Sequence, residues 1–391
     1  MTRPVHEVAD IVRAQGYRFL QKYGSVINYQ QLKALRAIRN CRTVTLGHHV
    51  DSCPKCDYTT LSYNSCRNRN CPKCQTGNRR LWIAARKREV LGVPYFHVVF
   101  TVPAKLNPLA LQNPRLFYNL LFRASAATLV ELAANPKRLG AKIGFVSILH
   151  TWGQNLREHP HIHCLIPQGG ISLDSKRWVH SHPKYLLPKK VLGRVFRGKL
   201  IDGLRHLYRK EKLKLAGSIT HLNDPKEFSE FIRGLHRHEW VIDVRPALGG
   251  PEQVIRYLGR YTHRVGISNR RLVNFDGEEV TFLWKDYAHD GIWRTMKLDA
   301  TEFLRRFVLH VLPKGFVRIR FYGFMANRFR AQNLELCRKL LSADTLDRDD
   351  QNPDTLPESS AWLCPHCGTK MLIAQRYTPA RWSSRGSFIE N

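Results

Sequence analysis

Apolar and polar positions along the chain change period several times, and the changes divide it. Over residues 1–40, Val8, Ile11, Val12, Phe19 and Leu20 recur at helical spacing, which predicts helices with one buried stripe. Residues 41–80 abandon that pattern. They hold six cysteines among glycines and polar turns, with too few apolar side chains to close a core without a staple. A basic helix, RRLWIAARKREV, follows and ends near Gly92 and Pro94. The apolar run Tyr95–Val102, closed by Pro103, predicts a strand, and residues 114–135 an amphipathic helix. Strand-like runs near 143–152 and 161–167 flank the polar stretch Gln154–Pro160, which predicts an antiparallel pair. Residues 188–216 read as a basic helix and Glu239–Arg245 as a strand. Pro251 is placed to open the helix PEQVIRYLGRYTHR. A hairpin over 278–299 and a helix over 301–312, stopped by Pro313, come next. The acidic, Pro- and Ser-containing stretch 343–360 reads as a linker before a short tail with Cys364 and Cys367. The expected units are 1–92 (helical and zinc-binding), 93–312 (the main α+β domain) and 313–391 (a C-terminal basic segment, linker and tail).

Charge narrows the partner. The 391 residues include 63 Lys and Arg against 31 Asp and Glu, a formal charge of +32. A neutral metabolite does not call for that excess. A nucleic acid does, because each neutralised phosphate releases condensed counterions. A hydrophobic fraction of 43% fits a folded chain rather than a disordered one. No apolar run approaches ~20 residues and the N-terminus lacks an apolar signal core, so the expectation is a cytoplasmic protein without membrane partners. Under that expectation, cysteines in CxxC pairs favour metal over disulfides.

Cys53-x2-Cys56 and Cys71-x2-Cys74 are two CPKC knuckles fourteen residues apart. Together they are expected to give four thiolates to one structural Zn²⁺. Cys41, His49 and Cys66 lie nearby, as members of a second site, as substitutes in the first, or as ordinary side chains. Cys364-x2-Cys367 is half a site, whose partner is Cys337, a spare N-terminal ligand, a second molecule, or none.

The segment EHPHIHCLIPQGG carries a second kind of ligand. On a strand, His161, His163 and Leu165 share one face and Ile162, Cys164 and Ile166 the other, with the two imidazoles ~7 Å apart along the strand. They can converge on one catalytic cation and leave positions for phosphate and water. Gln154 is a candidate third ligand across the turn, with Glu158 and His159 as competitors. The other pair, His236 and His238, flanks a charged residue and reads as structural or phosphate-facing. Trp82 and Trp152 are candidate base-stacking residues, with core packing as the simpler role. Tyr257 and Tyr261 stand one helical turn apart among Arg256, Arg260 and Arg264. A phenol is a poor nucleophile at its ordinary pKa near 10, and neighbouring guanidiniums and a cation favour its ionised form.

His161-Ile162-His163 with a downstream tyrosine pair resembles the two-tyrosine branch of the HUH nucleases. SCRNRNCPKCQ, HTWGQNLREHPHIHCLIPQGG, YLGRYTHRVGISNRRL and EFLRRFVLHVLPKGFVRIRFYGF resemble rolling-circle transposases of the insertion sequence 91 type across nearly the whole chain. The resemblance implies an α+β fold: a five-stranded antiparallel sheet, the HUH strand central and helices on one face, preceded by a helical zinc-ribbon domain. It implies Gln154 as third ligand beside His161 and His163, Mg²⁺ or Mn²⁺ as the catalytic ion, and Tyr257 and Tyr261 as nucleophiles. Its implied partner is DNA, as single-stranded or hairpin element ends, and it leaves oligomerisation open. Asn70 stands where many relatives carry His, which weighs against a second zinc, and PQGG replaces the usual PGGG. A replication initiator or relaxase would use the same chemistry. A zinc-ribbon DNA-binding protein without catalysis is the alternative of another class.

Overall fold

The computed structural model describes residues 4–247, 259, 266–287, 289–343 and 363–377. Tyr257 and Tyr261, with the helix expected from Pro251, lie outside the described residues, as does nearly all of the expected 343–360 linker. The chain begins with helices α1 (Val8–Tyr23) and α2 (Tyr29–Arg39), strands β1 (His48–Ser52) and β2 (Thr59–Tyr63), and helix α3 (Pro72–Lys87). Then follow β3 (Tyr95–Thr101), α4 (Asn107–Gln112), α5 (Pro114–Ala134), β4 (Ala141–Lys142), β5 (Gly144–Trp152) and β6 (Glu158–Pro167). Short strands β7 (Gly170–Ser172) and β8 (Trp178–Val179) lead to α6 (Lys189–Arg209), α7 (Pro225–His236) and β9 (Ile242–Ala247). The last part holds β10 (Leu272–Phe275), β11 (Glu279–Asp286), β12 (Ile292–Asp299), α8 (Ala300–Leu309), β13 (Ile319–Gly323), α9 (Arg330–Ala343) and β14 (Leu372–Tyr377).

Five strands form the central sheet in the order β13-β5-β6-β3-β9, every neighbouring pair antiparallel. Strand periodicity sorts the side chains. Phe96, Val98 and Phe100 of β3 and Ile162, Cys164 and Ile166 of β6 point to one face, where Leu121 and Leu129 of α5, Phe196 and Leu200 of α6 and Ile232 of α7 bury them. Helices were expected on that face alone. The structure adds α9 on the other, where Leu334 and Cys337 cover Val146, Ile148 and Leu165. That half of the second face is aliphatic and requires a cover; the half beside it is lined with histidine. Helix α5 is long and apolar enough to cross a membrane by composition, and 67% of that window is buried within the fold, as a core helix would be.

A second core joins distant parts of the chain. Val8, Ile11 and Phe19 of α1 and Leu35 and Ile38 of α2 pack with Val280 and Phe282 of β11 and Phe303, Leu304 and Phe307 of α8. Two capping boxes start the N-terminal helices, Glu7 with Asp10 and Asn28 with Gln31. The buried Glu7 also pairs with Lys73 at the start of α3. Packing crosses the expected boundaries at 92 and 312. The N-terminal helices close their core only with residues from Ile267 to Val308. Strand β13 belongs to the central sheet, and β14 pairs with β1 in the three-stranded sheet β14-β1-β2.

Helix α8 is the keystone of the second core. Asp299 caps it, accepting from the amides of Thr301 and Glu302 at 2.8 and 3.1 Å. Glu302 is held by Arg305 first and Arg306 second, and its pKa falls to about 2 from 4.5. A depressed carboxylate pKa stabilises the fold above the unfolded value and loses that contribution as pH falls toward the folded one. Acid titration of wild type should therefore show stability lost between about 4.5 and about 2. Glu302→Gln should flatten that part of the pH dependence, read from urea midpoints at each pH.

Candidate metal centres

The pairing of β5 with β6 sets His150 opposite His161 and Ile148 opposite His163. All three histidines therefore leave the sheet on the same face, as strand parity requires. Their ring centroids are 5.4 Å (His150–His161), 4.5 Å (His150–His163) and 4.7 Å (His161–His163) apart. One ring nitrogen from each lies within 4.8 Å of the others. The rings are buried, 3% exposed at His150 and 9% at His161 and His163. His161 and His163 thus meet as the sequence implied. His150, on the partner strand, was missed, because its alignment with His161 depends on the turn and on a bulge between His150 and Trp152.

Neighbours fix which nitrogen each histidine offers. His161 Nδ1 donates to the His159 carbonyl at 2.6 Å, so the ring's lone pair is on Nε2. His163 Nδ1 lies 2.8 Å from His97 Nε2, the two rings stacked at 7°. Burial holds His97 down at about 4, with Asp243 opposing and Arg245 adding to the shift. A neutral His97 can accept from His163 and turn the Nε2 of His163 toward the cluster, as outer partners of ligating histidines commonly do. Three imidazoles fit a divalent ion. No carboxylate joins them among the described residues, which favours a transition ion such as Mn²⁺ over Mg²⁺, a cation that takes oxygen ligands.

Gln154 sits half-buried in the turn beyond β5. That turn is clamped through three successive carbonyls. Gln154 accepts from the Arg271 guanidinium, Asn155 from Arg306 at 3.4 Å, and Leu156 from His310 Nε2 at 3.0 Å. Arg271 also donates to the Leu283 carbonyl at 2.6 Å, so the second core holds the edge of the histidine site. Glu158 starts β6 half-buried, and His159 is exposed. Trp152 is buried between His150 and His310, and Trp82 packs against the core that contains α9. His236 and His238 are structural at the backbone, both carbonyls accepting from Arg197. A small cleft beside Trp152 and His310 is lined by Arg69, Asn70 and Arg318. Burial lowers Arg69, and burial together with the Arg69 charge lowers Arg318 to about 10. The Arg69 guanidinium also donates to the carbonyls of Phe316 at 2.7 Å and Pro313 at 3.3 Å.

The cysteines fall into two sets, and this corrects the expected zinc site. Cys71 and Cys74 do not meet Cys53 and Cys56. They meet Cys41 and Cys66, with sulfurs 3.6 Å apart from Cys74 to each of those two and all four within 4.8 Å. Four thiolates on a tetrahedral zinc, with bonds of ~2.3 Å, place sulfurs roughly 3.8 Å apart. Cys71 is the N-cap of α3 and Pro72 opens it, so the helix N-terminus lies at the sulfur cluster and favours thiolates. Sulfurs this close cannot share negative charge evenly. Hydrogen bonds from Cys41, Cys66 and Cys71 hold the Cys74 thiol far below its ordinary range, while Cys41 and Cys71 push Cys66 up. A dication that takes all four as thiolates removes that conflict. Cys53 and Cys56 instead face Cys367 and Cys364, each pair 3.4 Å apart. His49 joins neither set and contacts Asn64 at 3.1 Å and Asp51 at 3.6 Å.

Residues 11–102 match a family model described as "Transposase zinc-binding domain", and residues 144–333 match one described as "Putative transposase". The chain is 46% identical over 381 residues to "Putative transposase y4qJ" of Sinorhizobium fredii, covering 95% of this chain and 96% of that one. It is 28% identical over 358 residues to the transposase for insertion sequence element IS801 of Pseudomonas savastanoi pv. phaseolicola, covering 86% and 80%. No solved structure matches it significantly.

If His97 orients His163 for a metal, His97→Ala should weaken Mn²⁺ binding about 10- to 100-fold, and His150→Ala should weaken it at least as much. Calorimetric titration of the purified chain with Mn²⁺ measures both. Unchanged affinity in the two variants would remove the histidine cluster as the metal site.

Proposed function

Because the chain belongs to the insertion sequence 91 family of transposases and carries that family's N-terminal zinc-binding domain, we propose that it cuts and rejoins single-stranded DNA through 5′-phosphotyrosine linkages during rolling-circle transposition. The observation that carries this reading is the convergence of His150, His161 and His163 on paired strands at the centre of the sheet. The sequence follows β9 with a segment bearing two tyrosines four residues apart. Of that segment Gly259, between the tyrosines, is described, and it is helical and buried. The roles of Tyr257 and Tyr261 rest on the sequence.

In the proposed reaction one tyrosine hydroxyl attacks a phosphorus at the element's end. The P–O3′ bond breaks, a phosphotyrosine bond forms, and the phenol's proton passes to the released 3′ oxygen. The second tyrosine repeats the step at another phosphodiester. A freed 3′-hydroxyl then attacks a phosphotyrosine, which restores a phosphodiester and returns the phenol, so no nucleotide cofactor is consumed. A divalent cation held by His150, His161 and His163, with Gln154 as a further candidate ligand, would supply Lewis acidity at the scissile phosphate. Arg69 and Arg318, in the cleft beside Trp152, would hold a neighbouring phosphate. The zinc module and the charge of +32 would supply the salt-sensitive part of DNA binding.

Wild type should form a denaturation-resistant adduct with single-stranded oligonucleotides taken from the element's ends in the presence of Mn²⁺. Tyr257→Phe/Tyr261→Phe should form none while still shifting the same oligonucleotide in a gel. His161→Ala/His163→Ala should likewise bind without cleaving. Wild type and the tyrosine double variant equally free of adduct would mean a DNA-binding protein without this chemistry.

A further inference from the structure

The second set of cysteines lies partly outside the zinc-binding family match, which ends at residue 102. Cys53 and Cys56 belong to the N-terminal region, while Cys364 and Cys367 stand more than 300 residues later. The four sulfurs lie within 4.8 Å of one another. Closest approaches of 3.4 Å, Cys53 to Cys367 and Cys56 to Cys364, are too long for a covalent S–S bond of ~2.05 Å. They are near the roughly 3.8 Å edge of a zinc tetrathiolate with ~2.3 Å bonds.

The two pairs share one backbone geometry. In the first, the Cys53 amide donates to the Tyr58 carbonyl at 2.9 Å and the Asp57 amide to the Cys53 carbonyl at 3.1 Å. In the second, the Cys364 amide donates to the Thr369 carbonyl at 2.8 Å and the Gly368 amide to the Cys364 carbonyl at 2.9 Å. The residue after each second cysteine is left-handed, Asp57 at φ 55° and Gly368 at φ 71°. CPKCD and CPHCG are thus two copies of one knuckle that face each other through their sulfurs, and the rings of Tyr58 and His366 lie 4.6 Å apart beside them.

Among the described residues, these parts are otherwise joined by one strand pairing and by the stacked rings of His48 and Tyr377, 4.5 Å apart. Strand β14 pairs with β1 from His48–Tyr377 to Ser52–Leu372, yet all six of its side chains are exposed. The apolar cluster between the knuckles consists of Cys53, Cys364 and Met371, with Tyr58 and Cys367 packed against it. A three-stranded sheet with so small a core is marginal without a staple. Structural zinc supplies that function in small ribbons and contributes folding free energy directly.

The geometry points to a second structural zinc site, built from Cys53 and Cys56 with Cys364 and Cys367, that fastens the C-terminal tail onto the N-terminal zinc module. The ion takes all four sulfurs as thiolates, and the four thiol protons go to solvent. The tail is then a structural part of the DNA-recognition end of the molecule, and the first zinc, on Cys41, Cys66, Cys71 and Cys74, is independent of it.

Two measurements on the full chain test this. Mass spectrometry after alkylation of zinc-loaded wild type should find Cys56 protected, although it is exposed to solvent, together with Cys53, Cys364 and Cys367. A chelator strong enough to strip the site should make all four react together. Rapid alkylation of Cys56 and Cys367 while the zinc content stays constant would overturn the proposal. Elemental analysis adds a stoichiometric check. Cys364→Ser/Cys367→Ser and Cys53→Ser/Cys56→Ser should each lose one zinc per chain, and the quadruple variant should lose one, not two. Full retention in the tail variant, or a loss of two in the quadruple variant, would mean that the knuckles do not share an ion.

Discussion

The antiparallel register of β5, β6 and β3 is the constraint on which the rest of the molecule depends. Side chains alternate between faces along each strand, so a slip of one residue would turn every histidine of the cluster into the aliphatic core. The register is specified from both sides. Ile162, Cys164 and Ile166 are captured by α5 and α6, while Leu165, Val146 and Ile148 are captured by α9. The histidines occupy the part of the second face that α9 leaves to them. Their position follows from the burial of their neighbours and not from attraction among the imidazoles.

A second consequence concerns the turn between β5 and β6. Hairpin turns are usually the most mobile part of a strand pair, and this one borders the histidine cluster. Here three consecutive carbonyls are taken by Arg271, Arg306 and His310, all from the part of the chain that buries α1 and α2. The N-terminal core therefore acts on the histidine site by holding its edge still. His310 suits this role because burial holds its pKa at about 4. It stays neutral and donates through Nε2 while Nδ1 faces the Thr151 hydroxyl at 3.3 Å.

Much of this was legible in the sequence, and the rest was hidden for identifiable reasons. The helices over 8–39 and 114–134, the strands over 95–101, 144–152 and 158–167 and the 279–299 hairpin follow from period and from proline or glycine stops. The shared face of His161 and His163 follows from parity alone. His150 was out of reach because its alignment with His161 is set by the turn and by a bulge between His150 and Trp152. Spacing cannot show either feature. The cysteines fail in a related way. A CxxC spacing says which two sulfurs share a knuckle, but not which knuckles share an ion. Cys53 and Cys71 are close in sequence and belong to different sets, because β1 and β2 carry the first knuckle away from α3. The tyrosine pair lies outside the described residues, so its place beside the histidines remains a reading of the sequence.

The discontinuous second core also bears on how the molecule is made. The amide of Val8 bonds to the side chain of Asn269, 261 residues later. At roughly 5–20 residues per second of synthesis, α1 and α2 leave the ribosome roughly 10–50 s before their partners exist. During that interval Ile11, Phe19, Leu35 and Ile38 have no native surface to cover them, and they are the stretch a nascent-chain chaperone would bind. A message cut short before α8 would yield a chain whose first two helices never acquire a core. Such a fragment would leave the apolar faces of both helices open to solvent.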